Sequence, residues 1–287
     1  MKDIPIRKIA TPQKIENPQG RFSIRPVRDV LKGIDIIHEM HRHDFYFILA
    51  IDKGSGIHEI DFTKFDVKDN TVFVLRPGQV HQLELKSNSS GYLIEFDATF
   101  YKPHDSAAVE RLKKATKVNF CKVNHDNFAG LFAPLTTILR EFNIRQEGYI
   151  DVIKANLDVF FIEYIRQRQN AQSISQNHNT YSQERFDELT EMLELRITEL
   201  KTVSQYADLL NLSAYQLNAI TKAVVGKTVS DMITDQILLE AKRYLLATSS
   251  QVKDIAYHLG YEDVSYFIRF FKKHTDLSPE AFRQKFK

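Results

Sequence analysis

The chain has 287 residues, of which 43% are hydrophobic and 26% charged, and its formal net charge is +2. That is the profile of a soluble globular protein long enough for two domains, and it does not by itself point to nucleic acid. No apolar run approaches the roughly eighteen residues of a membrane helix, and the start, MKDIPIRKIATPQ, has no apolar core, so neither a membrane span nor a secretory leader is expected and the chain reads as cytoplasmic.

A lone cysteine, Cys121, excludes an internal disulfide and a cysteine-rich zinc site, and reads as a small core residue. The first 25 or so residues, with Pro5, Pro12, Pro18 and Gly20, read as an irregular arm. From Phe22 to about Tyr101 the pattern is that of strands: FYFILAI, TVFVL and YLIEF are short apolar runs separated by the turn segments KGSG, RPGQ and SNSSG. Such a region can close into a small barrel or sandwich. Within it, alternation along a strand predicts His41, His43 and Phe47 on one face, and His81 follows Pro77-Gly78. Three imidazoles can hold a metal with an open position. At a barrel mouth such residues are more often hydrogen-bonded groups of a core or pocket.

Beyond the strands the apolar spacing becomes helical. Phe128, Leu131, Phe132, Leu135, Ile138, Leu139 and Phe142 form one stripe, and Ile150, Ile153, Leu157, Phe160, Phe161, Tyr164 and Ile165 a second. QRQNAQSISQNHN, from Gln167 to Asn179, is polar and reads as a flexible connection.

The last eighty-odd residues carry one pattern twice. Val203, Ala207, Leu210 and Leu212 fall on Val252, Ala256, Leu259 and Tyr261; after a one-residue insertion, Ser213, Leu217, Ile220 and Lys222 fall on Asp263, Phe267, Phe270 and Lys272. Each copy predicts helix, tight turn, helix. Gly260 and Asn211, the residues most tolerant of positive φ, stand at the turns. Ser213 and Gln216 have capping-box spacing, and Asp263 is a natural N-cap. From Lys201 to Lys287 twelve Lys and Arg stand against nine Asp and Glu, so distribution matters more than net charge: Arg269, Lys272 and Lys273 lie on or just after one second helix, and Arg283, Lys285 and Lys287 close the chain.

Two such motifs joined by one helical stretch, Ser230 to Ala247, with IAYHLGYEDVSYFIRFFKKHTDLSPEAFR and ILLEAKRYLL as its carriers, resemble the AraC-type (AraC/XylS) transcription regulators. Two departures from the family pattern are Asp276, where a Gly is usual, and Ile220-Thr221-Lys222 in place of an aromatic-basic run. HRHDFYFILAIDKGSG and LRPGQVHQLEL resemble the cupin-like sensor domain of the same family. In cupin enzymes a Glu stands where this chain has Phe47. That apolar ring argues for an effector pocket at His41, His43, Phe47 and His81 and for no metal or cofactor.

The resemblance implies an α+β two-domain chain: a cupin-like β-barrel with flanking helices over residues 1–168 for sensing and dimerisation, a linker at 169–180, and an all-α double helix-turn-helix domain over 181–287. It implies a DNA-binding regulator controlled by a small-molecule effector, dimeric through the helices after the barrel, working with RNA polymerase, and not an enzyme. The alternative is a cupin-type metalloenzyme carrying a helical domain, although the chain has no Walker loop, GxSxG, HExxH or CxxC. On the recognition helices, Ala214, Tyr215, Asn218 and Ala219 pair with Val264, Ser265, Ile268 and Arg269 in the repeat; Tyr215, Gln216, Asn218, Val264, Ser265 and Arg269 are the expected DNA-contacting residues, Arg269 for guanine or a phosphate, with Lys222, Lys272 and Lys273 for phosphates.

Overall fold

Residues 6–7, 21–103, 105–173 and 180–286 are described by a computed structural model. The chain forms two compact units that part between Ser175 and Gln176.

The first unit is built on strands whose two faces differ in kind. The run from Tyr46 to Lys53 is nearly all apolar because its sheet is covered on both sides. Phe47, Leu49 and Ile51 face an interior shared with a second sheet, while Ile48 and Ala50 face the helices. In order, the strands are β1 (Ile6–Arg7), β2 (Phe22–Pro26), β3 (Ile36–His43), β4 (Tyr46–Lys53), β5 (Gly56–Ile60), β6 (Thr63–Val67), β7 (Thr71–Leu75), β8 (Val80–Leu85), β9 (Ser90–Phe96) and β10 (Phe120–Lys122), with a short helix α1 (Val27–Leu31) after β2. One sheet runs β1-β3-β8-β5-β6, the other β10-β7-β4-β9-β2. KGSG, RPGQ and SNSSG make the β4–β5, β7–β8 and β8–β9 turns, as expected. Two features were not expected: β1, inside the segment read as an irregular arm, pairs in parallel with β3, and β10, beyond Tyr101, extends the second sheet beside β7. The rest of the arm, residues 1–5 and 8–20, lies outside the described residues.

Helices α2 (Ser106–Lys117), α3 (His125–Ile144) and α4 (Tyr149–Ser173) cover the outer face of the second sheet. Leu131, Leu135, Ile138 and Phe142 of α3 and Ile153, Leu157, Phe160, Phe161 and Tyr164 of α4 are buried there with Ile48, Val72, Val74 and Ile94. Phe128, Phe132, Leu139, Ile150 and Ile165 of the same two stripes are only partly buried against that core. Cys121 is in the same core, where burial pushes its thiol up to about 11. Of the expected flexible connection, residues 167–173 instead continue α4, and residues 174–179 lie outside the described residues.

The second unit is all helical: α5 (Thr180–Arg196), α6 (Val203–Leu209), α7 (Ala214–Val225), α8 (Val229–Ala247), α9 (Val252–His258), α10 (Val264–Thr275) and α11 (Pro279–Phe286). The sequence repeat is a repeat of hydrogen bonds. Leu212 N–H donates to Ala207 O as Tyr261 N–H donates to Ala256 O, both at 2.9 Å, and Asn211 N–H donates to Asp208 O as Gly260 N–H donates to Tyr257 O. Asn211 and Gly260 take φ of 53° and 73°. Gly260 has a second reason to be glycine, since a Cβ there would lie 2.2 Å from the Thr198 carbonyl oxygen. No helix among the described residues is long and apolar enough to cross a membrane.

Candidate functional site

In each helical motif the first helix is a support and the second presents a face. Leu217 and Ile220 of α7, and Phe267 and Phe271 of α10, are buried at helical spacing and fix which sides turn outward. The second helices begin where their caps place them. Ser213 Oγ accepts from Gln216 N–H at 3.2 Å, while Gln216 Oε1 accepts from Ser213 N–H at 2.9 Å; Asp263 Oδ1 accepts from Ser265 N–H at 2.7 Å. Thr202 with Gln205 and Thr228 with Asp231 make two further capping boxes, at α6 and α8.

Most of the expected surface is where the repeat put it. Tyr215 is 85% exposed, and Ser265, Arg269, Lys272 and Lys273 are exposed along α10, with Lys222 exposed on α7. Val264 is half-buried. Arg269 Nη2 is 3.7 Å from Asp263 Oδ2 in an exposed ion pair, a contact worth at most about 1 kcal/mol and easily exchanged for another acceptor.

Asn218, expected as a base reader, has both ends of its amide engaged within the helical unit. Its Nδ2 donates to Ala214 O at 2.9 Å, and its Oδ1 accepts from the backbone N–H of Val229 at 3.0 Å. The first bond lies within α7, and the second ties α7 to the start of α8. Gln216 is similarly held, its Oε1 committed to the capping box. Tyr266, exposed beside Ser265, was missed, although its place one residue before buried Phe267 marks it as outward-facing. Arg283, expected in a basic surface cluster, is instead buried: its guanidinium donates to Leu245 O at 3.0 Å and Ser250 O at 2.6 Å, clamping the end of α8. Lys287 lies outside the described residues.

The barrel site is assembled from both sheets. His41 and His81 are directly opposed across β3 and β8. The register shifts between His38 and His41, and this irregularity turns His41 inward although His38, three residues earlier, pairs with inward-facing Leu83. Gly78 N–H donates to His43 O at 2.9 Å, tying the loop before His81 to the end of β3. Phe47 does reach the site, but from β4 of the facing sheet rather than along one continuous strand as expected, because the chain turns at Asp44-Phe45. Its ring stacks on His43 at 5.5 Å and 6°.

His58, on β5, was not anticipated, and it is fully buried. Its Nε2 is 2.8 Å from His81 Nδ1, and His81 Nε2 is 2.6 Å from His43 Nε2, so three imidazoles form a chain. The alternating GIHEI pattern could have placed His58 inward. Burial, reinforced by the neighbouring imidazole of His41, lowers His58 to about 3. Burial and then His58, His41, His43 and His38 hold His81 well below the ordinary histidine value. Both rings are therefore neutral at physiological pH and keep a lone pair.

A β-rich unit with an enclosed polar cluster and a unit of paired helix-turn-helix motifs define a ligand-binding domain joined to a DNA-binding one. The chain belongs to the AraC-type transcription regulators: residues 33–115 match the AraC-like ligand binding domain and residues 206–285 the helix-turn-helix domain. It is 23% identical over 252 residues to the HTH-type transcriptional activator RhaS of Escherichia coli O157:H7, covering 85% of this chain and 87% of that protein. It is also 35% identical over 98 residues to the bifunctional transcriptional activator/DNA repair enzyme AdaA of Bacillus subtilis, of which it spans 46%. Among solved structures, the C-terminal domain of the response regulator yesN from Fusobacterium nucleatum matches 34% of this chain and 95% of its own at 30% identity, with a TM-score of 0.32. The chain is thus an AraC-type DNA-binding transcription regulator with an N-terminal ligand-binding domain.

Proposed function

We propose that this regulator reads specific duplex DNA with α7 and α10 under the control of a small molecule held in the barrel, and that it acts on RNA polymerase as a cytoplasmic homodimer rather than as an enzyme. The observation that carries this reading is the repeated hydrogen-bonded turn, which sets two second helices in equivalent frames with unlike outward faces. The face of α7 offers Tyr215 with Lys222, and that of α10 offers Ser265, Tyr266 and Arg269 with Lys272 and Lys273. Arg269 suits the O6 and N7 edge of guanine, Tyr215 the thymine methyl, and the lysines phosphates. In domain terms, residues 1–168 sense and pair, 169–180 connect, and 181–287 bind DNA.

An effector seated among His41, His43, Phe47 and His81 would meet buried imidazoles and an aromatic wall. Support for pairing comes from the outer surface of α4, where Val152 and Val159 are exposed seven residues apart, on one side of the helix. The named relatives are activators, which favours a positive sign of regulation. Selection of bound sequences from random duplex, with and without cell extract, tests the reading. A recovered motif whose enrichment changes with extract is expected, and recovery of no motif under either condition would sink it.

A further inference from the structure

Beside the hydrogen-bonded chain of His43, His81 and His58, His41 completes a triangle of buried imidazoles. The ring centroids of His41, His43 and His81 are 4.7, 4.3 and 4.7 Å apart. One ligating nitrogen from each lies within 4.8 Å of the others, and all three residues are buried. Imidazoles bound about 2.05 Å from one metal ion at right angles have centroids about 4.5 Å and nitrogens about 2.9 Å apart, whereas tetrahedral positions give about 5.2 and about 3.3 Å. The centroid spacings match the right-angled case, and the 2.6 Å hydrogen bond between His43 Nε2 and His81 Nε2 brings two of the nitrogens together. We propose that His41, His43 and His81 form a facial three-histidine site for a divalent first-row transition ion, with His58 positioning His81 from behind.

The tautomers of His41 and His81 agree with this arrangement, while His43 donates from Nε2 to His81 Nε2 and gives up that proton when an ion binds. His41 Nδ1 is 2.7 Å from the Glu39 carbonyl oxygen, which can only accept, so the ring proton is on Nδ1 and the lone pair on Nε2. When His81 donates from Nδ1 to His58 Nε2, its own Nε2 likewise carries a lone pair toward the centre. Outer bonds of this kind orient metal-bound imidazoles. Phe45 and Phe47 pack on His43, and Phe73 on His58. The cluster contains no carboxylate, so it suits zinc, copper, iron or nickel and not the oxygen-seeking magnesium or calcium. Perpendicular geometry leaves the positions opposite the histidines open to a further ligand.

The test uses the full-length protein, stripped with a chelator and titrated with Co(II), then Zn(II), while ligand-field absorption and metal retained after dialysis are measured. One Co(II) per chain with visible bands, displaced by Zn(II), is expected. His41→Gln and His81→Gln should each weaken Co(II) binding at least tenfold, and His58→Leu by about 10- to 100-fold, with melting curves confirming that each variant folds. Wild-type protein that retains no Co(II), or bands undiminished in the double variant His41→Gln/His81→Gln, would overturn the site. A plain hydrogen-bonded network predicts the first of these results. Should a variant not fold, the wild-type titration still decides. The readout is the metal itself, so the outcome is independent of whether the chain reads DNA as proposed above.

Discussion

Replacing Asn218 by Ala removes the group that joins a recognition helix to the helix between the two motifs. The Val229 backbone N–H, at the first position of α8 and on a fully buried residue, would lose its 3.0 Å acceptor. A buried donor left without a partner costs about 1–3 kcal/mol. For a helical unit of roughly a hundred residues that corresponds to a fall in melting temperature of several degrees up to roughly 20 °C. Asn218→Asp keeps an acceptor for Val229 and should recover most of the loss. The assay is thermal unfolding of the full chain followed by circular dichroism, paired with DNA titrations over base variants of a selected site. The expected result is lower stability together with a uniform loss of affinity across all variants. Unchanged melting, combined with lost discrimination at a single A·T pair, would refute the joint and restore Asn218 as a base reader.

Other outcomes follow from the same geometry. Arg269→Ala should cost about 1–3 kcal/mol of binding and flatten discrimination at one G·C pair, while Lys272→Ala should weaken all sequences alike and lower the salt slope by about one; equal weakening of every variant by Arg269→Ala would make it a phosphate contact. Leu239→Pro, in the middle of the 19-residue α8, should destabilise by about 3 kcal/mol or more and abolish high-affinity binding, so intact binding would argue against a rigid connector. Asp276 takes φ of 60° at the C-cap of α10, where a side chain costs about 1 kcal/mol relative to glycine and a carboxylate opposes the helix dipole. Asp276→Gly should therefore raise the melting temperature by a few degrees, and a lowered one would show that the carboxylate has a stabilising partner.

Local chemistry was enough to read the DNA-binding unit from its residues. A helix-turn-helix is written in contiguous residues, so the buried spacing of Leu217, Ile220, Phe267 and Phe271, the turn residues Asn211 and Gly260, and the Ser213 cap all lie within one short segment each. Strand runs, turn segments and an inward-facing histidine pair were legible for the same reason. What the tertiary structure decided involves partners distant in the chain. Helical spacing places Asn218 on the recognition helix, and only the fold brings the backbone of Val229, eleven residues on, to its amide. Arg283 looked like surface charge until the carbonyls of Leu245 and Ser250 met its guanidinium. For the α3 and α4 stripes helical spacing says that a face is buried and not what buries it, and here the barrel's outer face takes most of both. His58 shows the same limit: period-two alternation places a side chain on a face, but only the folded sheet brings it within 2.8 Å of His81.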